Sequence, residues 1–347
     1  MSCSKQHEHH RSARAESRAF FLVLTVLLTA CDGTATDPDG GPARGDGGLS
    51  FDAGPPPIKY DRFTKRADGW PTGARVRGAA VLDNVLFVAS DQGVLQLPAI
   101  DTRWTAVTTP LTGDLKPTSL DVIDQSLVMT AAGASLGGLF VKPYDGAWAA
   151  VATAPPSPAW LLTKKSTDYL LATTGGLFKA TALTGPWTRR SAANTPVFTA
   201  AIAQFAAAPS QAKLFAAGAT GGLFESADVG ATWTASTLRG TVNALAATGA
   251  FVLVATSMDG QQRSDNYGNT FRPAATPLTD TPALYVVQGT RFWAGGSGGL
   301  LSSDDNGVTF TANSDGLPTG TAVRALFFAG SYAIVDTADG PYINQPR

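Results

Sequence analysis

The chain has 347 residues and a formal net charge of −1 at pH 7, with 15% charged residues and 37 glycines. This near-neutral balance excludes the basic footprint that nucleic-acid binding requires, so we expect no nucleic-acid partner. Few charges and many small residues are typical of exported β-rich proteins, in which tight turns and packed sheets dominate.

The first predicted element is an export signal over residues 1–30. Residues 1–18 are polar and carry four Lys or Arg side chains, and an apolar run from Ala19 to Ala30 follows. A basic start, a short apolar core and small residues before a cleavage point are typical of a signal peptide, and the run is too short for a membrane span. Leu28-Thr29-Ala30-Cys31 resembles the lipobox of bacterial lipoproteins. The resemblance implies cleavage before Cys31, lipidation of Cys31 and attachment to a lipid bilayer, whereas an ordinary signal peptide with an incidental cysteine is the alternative.

Removal of this leader would change the chemistry available to the rest of the chain. All three histidines, His7, His9 and His10, lie in it together with Cys3, and a lipidated Cys31 has no thiol. A Ser-His-Asp triad, a cysteine nucleophile and a zinc site made of His or Cys are then excluded. We therefore expect no metal, no cofactor and no disulfide in the mature protein.

Residues 31–57 are predicted to form a tether. The segment is rich in Gly, Asp, Ala and Pro and has no apolar periodicity. Such a segment cannot bury enough surface to offset the entropy of ordering it. It would hold the following domain, residues 58–347, at a flexible distance from the lipid.

A repeated landmark runs through residues 58–347. It is a glycine followed by a strand-like pair, and in six of seven cases an aromatic residue follows 10 or 11 positions later. The glycines are Gly93, Gly138, Gly176, Gly222, Gly260, Gly299 and Gly340. The aromatic residues are Trp104, Trp148, Trp187, Trp233, Phe271 and Phe310. Because each unit also contains alternating apolar runs, four short strands in roughly 40 residues are expected, which is the pattern of a propeller blade.

The seven units predict an all-β fold, a single seven-bladed β-propeller of four-stranded antiparallel blades. The seventh landmark lacks an aromatic partner, but residues Phe63–Gly73 match residues Phe310–Gly320. We therefore expect the segment around Phe63 to be an outer strand that pairs beside Ile343 and closes the ring. A six-bladed ring would leave this segment unexplained, an eight-bladed ring lacks landmarks, and a β-helix needs a shorter repeat.

Three units contain a fuller motif, Ser-x-Asp-x-Gly-x-Thr-aromatic, with Asn for Asp in one copy. Its residues are Ser226, Asp228, Gly230, Thr232 and Trp233, then Ser264, Asn266, Gly268, Thr270 and Phe271, then Ser303, Asp305, Gly307, Thr309 and Phe310. Ser, Asp and Asn bond nearby backbone groups in tight turns, and Gly adopts angles that other residues avoid. The copies resemble the Asp-box, or bacterial neuraminidase repeat. The resemblance implies a structural hairpin at the blade edge, away from any active site, and a ligand or ion role is the alternative.

Ligand-binding residues are expected at one mouth of the central channel, where the innermost strands begin. Counting back from the landmark glycines gives Arg77, Ser119, Trp160, Ala200, Asn243, Ala283 and Arg324. We select Arg77, Trp160, Asn243 and Arg324 as candidates. Because the first and last blades are neighbours, Arg77 and Arg324 are expected side by side, which suits a carboxylate, sulfate or phosphate. Trp160 suits stacking on a sugar or peptide; a solvated arginine pair and a tryptophan wedged under a loop are the alternatives.

Sialidase-like propellers raise the possibility of catalysis. Sialidases carry an Arg-Ile-Pro motif, an arginine triad and a Tyr-Glu pair, but this sequence has no Arg-Ile-Pro, and Glu225 is the only glutamate after residue 30. Asp121 and Asp124 are the candidate carboxylates of another glycosidase, although strand residues three apart face opposite ways. Xyloglucanase-like enzymes clasp a glycan between two propellers, and only one propeller fits in this chain. A glycoside hydrolase therefore stays the alternative to a binding protein.

The overall pattern resembles single-propeller photosystem II assembly factors and Asp-box lectin-like or receptor propellers. That resemblance implies a non-catalytic binding or assembly module with a protein, peptide or glycan partner in the cell envelope. With the lipobox, it predicts a lipid-anchored protein at the outer membrane or the periplasmic face. Asp32 after Cys31 resembles an inner-membrane retention signal of some bacteria, so the leaflet stays open.

Overall fold

The computed structural model describes residues 62–98, 103–165, 167–190, 206–208, 213–218, 221–274, 282 and 284–344. The predicted leader and tether, and Cys31 with them, lie outside these residues. Within the described ranges, no helix has the length and apolar character needed to cross a bilayer.

The described residues form 28 strands in seven antiparallel sheets of four. The first strand in chain order is β1 (Thr64–Lys65). The first three sheets contain β2 (Val76–Leu82), β3 (Val85–Ser90), β4 (Gly93–Pro98) and β5 (Thr105–Val107); β6 (Lys116–Ile123), β7 (Ser126–Ala132), β8 (Gly137–Pro143) and β9 (Ala149–Ala150); and β10 (Ala159–Lys165), β11 (Asp168–Thr173), β12 (Gly176–Ala180) and β13 (Thr188–Arg189). We call these sheets blades 1 to 3.

Blades 4 to 6 repeat the same order of four consecutive strands. They contain β14 (Ala206–Ala208), β15 (Lys213–Ala217), β16 (Leu223–Ser226) and β17 (Thr234–Ala235); β18 (Val242–Thr248), β19 (Phe251–Thr256), β20 (Gly260–Ser264) and β21 (Arg272–Pro273); and β22 (Leu284–Gln288), β23 (Arg291–Gly296), β24 (Gly299–Ser303) and β25 (Thr311–Ala312). Blade 7 contains β26 (Ala325–Ala329), β27 (Tyr332–Thr337) and β28 (Gly340–Asn344), and its fourth strand is β1.

The second strand of each blade is buried along most of its length. β3 has the sequence Val-Leu-Phe-Val-Ala-Ser and β27 has Tyr-Ala-Ile-Val-Asp-Thr, and nearly every residue in both is buried. A strand covered on both faces reads as a continuous apolar run instead of an alternating one. The two-residue outer strands are exposed. Burial therefore decreases from the inner strands to the rim of each blade.

Apolar clusters join each blade to the next. One cluster packs Val88 and Leu95 of blade 1 against Ile334 and Ile343 of blade 7. Corresponding clusters occupy the other six interfaces between neighbouring blades. Because blade 7 packs on blade 1 as the others pack on their neighbours, the seven sheets form a closed ring.

The ring is completed by the amino-terminal strand, as the sequence predicts. β1 pairs antiparallel with β28 through Thr64 opposite Ile343 and Lys65 opposite Tyr342. Phe63, 2% exposed, is buried in the cluster between blades 6 and 7. The predicted seven-bladed, all-β propeller with four antiparallel strands in each blade is confirmed.

Candidate functional site

The three Ser-x-Asp/Asn-x-Gly-x-Thr segments form hairpins between the third and fourth strands of blades 4, 5 and 6. In the first, the Oγ atom of Ser226 accepts a hydrogen bond from the N–H of Gly230 at 2.8 Å. The Asp228 carboxylate accepts from the N–H of Thr232 at 2.8 Å and from its hydroxyl at 2.6 Å. The side chains thus close the turn on themselves, and none of these bonds leads to the innermost strands.

The other two hairpins repeat this network with one change. The Asp305 carboxylate accepts from the N–H of Thr309 at 2.8 Å, and the Ser303 hydroxyl accepts from the N–H of Gly307 at 2.8 Å. In the copy with Asn266, the side-chain Nδ2 instead donates to the Oγ1 atom of Thr270 at 2.8 Å. The turn therefore forms with either residue type, although only aspartate brings a charge.

These bonds affect the two aspartates strongly. Burial alone would raise the pKa of Asp228, but hydrogen bonds from Thr232, Ser226 and Ala231 outweigh it and lower the pKa to about 2. The same balance lowers the pKa of Asp305 to about 2. Both carboxylates are therefore ionised over the whole physiological pH range, and both accept hydrogen bonds from residues of their own turns.

Each hairpin is also bound to the preceding blade by a cationic side chain. Atom Nη2 of Arg190 in blade 3 donates to the Asp228 carbonyl at 2.8 Å. Between blades 4 and 5, Lys213 donates to the Asn269 side-chain oxygen at 2.6 Å. Between blades 5 and 6, atom Nε of Arg263 donates to the Asn306 carbonyl at 2.9 Å. The hairpins thus link neighbouring blades.

The innermost strands begin with a recurring irregularity at the predicted channel mouth. In blades 1, 3 and 5 a β-bulge isolates one residue, which is Arg77, Trp160 or Asn243. The bulge residue of blade 2 is Thr118, one position before the expected Ser119. A bulge re-aims a side chain, and Asn243 is exposed between buried neighbours. Ala200 and Ala283 lie outside the described residues.

Trp160 is held by packing. Its ring is half-buried against the apolar cluster between blades 3 and 4, which includes Leu177 and Trp233. Its indole Nε1 is buried and has no hydrogen-bond partner among the described residues. A stacking role for Trp160 stays a prediction, and the packing resembles the wedged alternative.

Arg77 and Arg324 lie at equivalent positions on either side of the junction between blades 1 and 7. Atom Nη2 of Arg77 lies 3.8 Å from Oδ2 of Asp91, in a pair that is partly open to solvent. Atom Nη1 of Arg324 donates to the Thr337 carbonyl at 3.4 Å. Arg75, exposed just before β2, adds a third guanidinium. The three arginines form what we call the junction arginines.

A buried carboxylate, Asp336, lies beside the junction arginines and is not among the site residues that the sequence predicts. Its side chain is 1% exposed, and its Oδ1 atom has no hydrogen-bond partner in the described part of the chain. Burial raises the pKa of Asp336 to about 6, against the opposing effects of a hydrogen bond from the Val76 N–H and of the charges of Arg324, Arg75 and Arg77. The charges of all three arginines therefore act on the same buried carboxylate.

The other blades place small or uncharged residues where blade 7 has Asp336. The residue of each second strand that pairs with the position after the landmark glycine is Ala89, Thr130, Ala172, Ala217, Ala255, Gly295 or Asp336. A residue-by-residue alignment of the repeats would have found this difference, because Asp336 precedes Gly340 by four residues as Ala89 precedes Gly93. A buried, incompletely bonded charge costs stability, so such an exception points to a site.

The two carboxylates considered for glycosidase chemistry have different surroundings. Asp124 binds Lys164 in an ion pair and accepts a hydrogen bond from the Tyr169 hydroxyl, and these bonds lower its pKa. Asp121 accepts from the Val122 N–H at 2.7 Å, and desolvation raises its pKa although the residue is exposed. Since both oxygens of Asp124 are bonded, this residue is poorly placed to serve as a nucleophile or base.

Metal ligands do not gather in the described part of the chain. No group of three or more His, Cys, Asp or Glu residues there could hold an ion.

Comparison with known proteins finds similarity in structure only. No model of a known protein family matches the chain, and no curated protein sequence does so either. Among solved structures, YCF48 from Cyanidioschyzon merolae is 14% identical, with a TM-score of 0.59 over 79% of this chain and 96% of that one. A structure of YCF48 bound to D1 peptide is 14% identical, with a TM-score of 0.60 over 80% and 95% of the two chains.

A catalytically inactive virginiamycin B lyase from Staphylococcus aureus with quinupristin is also similar. It is 13% identical, with a TM-score of 0.60 over 82% of this chain and 99% of that one. The chain shares the propeller fold with these proteins. At such low identity, the likeness carries no residue or activity across.

Proposed function

We propose that this protein is a lipid-anchored binding or assembly scaffold of the cell envelope, whose propeller binds a protein or peptide partner. The junction arginines carry this proposal, because two partly exposed guanidinium groups at the start of the inner strands suit an oxyanion such as a carboxylate. The lipobox-like Leu28-Thr29-Ala30-Cys31 supports the anchor, and the leaflet and membrane stay open.

One structural neighbour supports a peptide partner, and a second supports a binding role in general. One YCF48 structure contains D1 peptide, and another neighbour is the extracellular domain of a putative one component system from B. thetaiotaomicron, 13% identical with a TM-score of 0.62. That match covers 82% of this chain and 40% of the other. A glycan partner is compatible with the same arginines but has no such support.

The hydrolase alternative has one observation in its favour. The pKa of Asp121 is raised and that of Asp124 is lowered, and carboxylates with divergent pKa values are typical of glycosidases. Hydrolysis of chromogenic glycosides by the full-length chain tests it. Turnover that Asp121→Asn abolishes would replace the binding proposal with a hydrolase.

Binding is tested with an array of peptides that carry acidic side chains or free carboxyl ends, each paired with its amidated form. We expect the full-length protein to bind a subset of the carboxylate forms and the double variant Arg77→Gln, Arg324→Gln to lose at least about tenfold in affinity. The matched control is Arg272→Gln, an exposed arginine on the outermost strand β21. Equal binding by the double variant would reject the arginine site.

A further inference from the structure

The Asp336 carboxylate lies within the electrostatic reach of the junction arginines but is bonded to none of their described side chains. The backbone N–H of Arg324 donates to the Asp336 carbonyl oxygen at 2.9 Å. No ion pair or hydrogen bond joins its carboxylate to Arg75, Arg77 or Arg324 in the described part of the chain, and all three charges act on it through space. Two of the guanidinium groups are directed elsewhere, Arg77 to Asp91 and Arg324 to the Thr337 carbonyl. The arginines can therefore accept an external anion without breaking a bond to Asp336.

An anion that arrives at these arginines brings a second negative charge close to a buried one. Like charges in a site of low polarity cannot both stay ionised at low cost, so one of them takes up a proton. We propose that oxyanion binding at Arg77 and Arg324 is coupled to the uptake of a proton from solvent by part of the Asp336 population. This inference rests on the proposed function, since it specifies how the same site responds to pH.

The step involves no bond change other than protonation. The proton comes from solvent and forms an O–H bond on Asp336, whose Oδ1 atom is without a partner among the described residues. The carboxylate becomes a neutral carboxylic acid. The net charge of the occupied site is therefore changed by the charge of the anion plus the single positive charge of the proton. No co-reactant is required.

Other charged groups on the surrounding elements are less suited to take the proton. Asp91 lies in the turn between β3 and β4 and binds the Arg75 N–H at 2.9 Å as well as Arg77. Asp339 lies exposed in the turn between β27 and β28, and Tyr342 is buried on β28. Of the carboxylates of Asp91, Asp336 and Asp339, that of Asp336 is the most buried, so solvent stabilises its charge the least.

The sign of the coupling follows from linkage. A bound anion raises the pKa of Asp336 above its value of about 6 in the empty site. Affinity is then highest below about pH 6, where Asp336 is already protonated, and falls as the pH rises through the raised pKa. A shift of about one unit corresponds to about tenfold in affinity.

The experiment is calorimetric titration of the full-length protein with sodium sulfate at constant ionic strength, between about pH 5 and pH 8. Sulfate is the probe because it does not titrate in this range. Each titration is repeated in two buffers of different ionisation heat, which gives the number of protons taken up. We expect affinity to fall about tenfold from pH 5 to pH 8, with net proton uptake near the middle of the range.

The decisive variant is Asp336→Asn, with Asp336→Ala as the second form if the first does not fold. Alanine is the residue of four other blades at this position. Both variants should bind sulfate with an affinity that does not depend on pH and with no proton uptake. The control Asp339→Asn removes an exposed carboxylate from the adjacent turn and should keep the wild-type behaviour.

Four outcomes overturn the coupling, and they distinguish its failure from failure of the anion site. If sulfate binds the wild-type protein without proton uptake, or if uptake persists in the Asp336 variants, the coupling fails while the anion site stands. If sulfate does not bind, or binds equally after Arg77→Gln and Arg324→Gln, the anion site proposed above fails and the coupling fails with it.

Discussion

The backbone N–H of Phe63 donates a hydrogen bond to the carbonyl oxygen of Asp315 at 2.8 Å. Trp104 and Asp68 make the equivalent bond at 2.9 Å. The bond of Phe63 joins the residue before β1 to the loop that leads into blade 7. The bond of Trp104 joins blade 1 to the loop after β1. The amino-terminal segment therefore takes the place that an outer strand and its loop occupy in another blade.

Replacing Phe63 with Ala should weaken the closure of the ring. The side chain is 2% exposed in the cluster with Trp293 and Tyr342, so its loss removes a large buried aromatic group and leaves a cavity. We expect the free energy of unfolding to fall by about 3–5 kcal/mol, measured by urea denaturation. Lys65→Ala, on the exposed strand β1 that follows Phe63, should change it by less than about 0.5 kcal/mol. Equal midpoints for Phe63→Ala and the wild type would contradict this role.

Gly230 is expected to be essential for the hairpin in blade 4. Its φ of +79° is rare for other residues, and an added Cβ would collide with Leu177 of blade 3. We expect Gly230→Ala to lower the free energy of unfolding by about 2–4 kcal/mol, from backbone strain and overpacking together. Gly73→Ala is the matched control, because Gly73 has a φ of +74° with open space around it. Similar losses in the two variants would show that packing on blade 3 adds nothing.

Asp305 should stabilise the protein above its unfolded pKa of about 3.9. Its folded pKa is lowered to about 2, so the contribution is complete above about pH 5 and is lost as the pH falls through 2. Asp305→Asn should therefore cost about 1 kcal/mol at pH 7, a modest value because the carboxylate is exposed to solvent. Asn266 already forms this turn, so the variant is expected to fold. Urea denaturation from pH 2 to 7 checks it, and a loss that does not shrink below pH 4 would contradict the assignment.

The sequence predicts the ring well because the repeat period, the landmark glycines and the match around Phe63 are all local signals. The number of blades and the closing pair of strands follow from them. The start of the innermost strand is predicted less accurately in blade 2, where counting back gives Ser119 and the bulge residue equivalent to Arg77 is Thr118. A bulge depends on pairing with the neighbouring strand, which spacing alone does not specify.

The candidate site is only partly predictable. The repeat gives the positions of Arg77 and Arg324 within their blades. Ring closure makes the first and last blades neighbours, and so predicts that the two arginines are close. Asp336 is missed because it stands in an apolar run, Tyr-Ala-Ile-Val-Asp-Thr, which predicts a strand but not which face meets blade 1. Its burial depends on contacts between residues about 260 positions apart, such as the hydrogen bond from Val76.

The lipid anchor is tested by changing one residue. Cys31→Ser should abolish incorporation of radiolabelled palmitate in a bacterial host and release the protein from the membrane fraction. A thioether-linked lipid requires the sulfur, so no other residue can replace it. The control is Cys3→Ser, which lies within the predicted leader and should leave labelling unchanged. Labelling that persists in Cys31→Ser would reject the lipobox interpretation and favour an ordinary signal peptide.

Asp336 should make the protein less stable as the pH rises. Its folded pKa of about 6 exceeds the unfolded value of about 3.9, so its favourable contribution is complete below pH 4 and is lost as the pH passes 6. The difference of about two units corresponds to roughly 3 kcal/mol between the two limits. Asp336→Ala should remove this dependence and be more stable than the wild type at pH 8, because a buried and incompletely bonded charge is replaced by the residue that four other blades carry. Urea denaturation without sulfate, between about pH 4 and pH 8, measures it. A variant that is less stable than the wild type at pH 8 would show that the junction arginines stabilise the ionised carboxylate more than burial destabilises it.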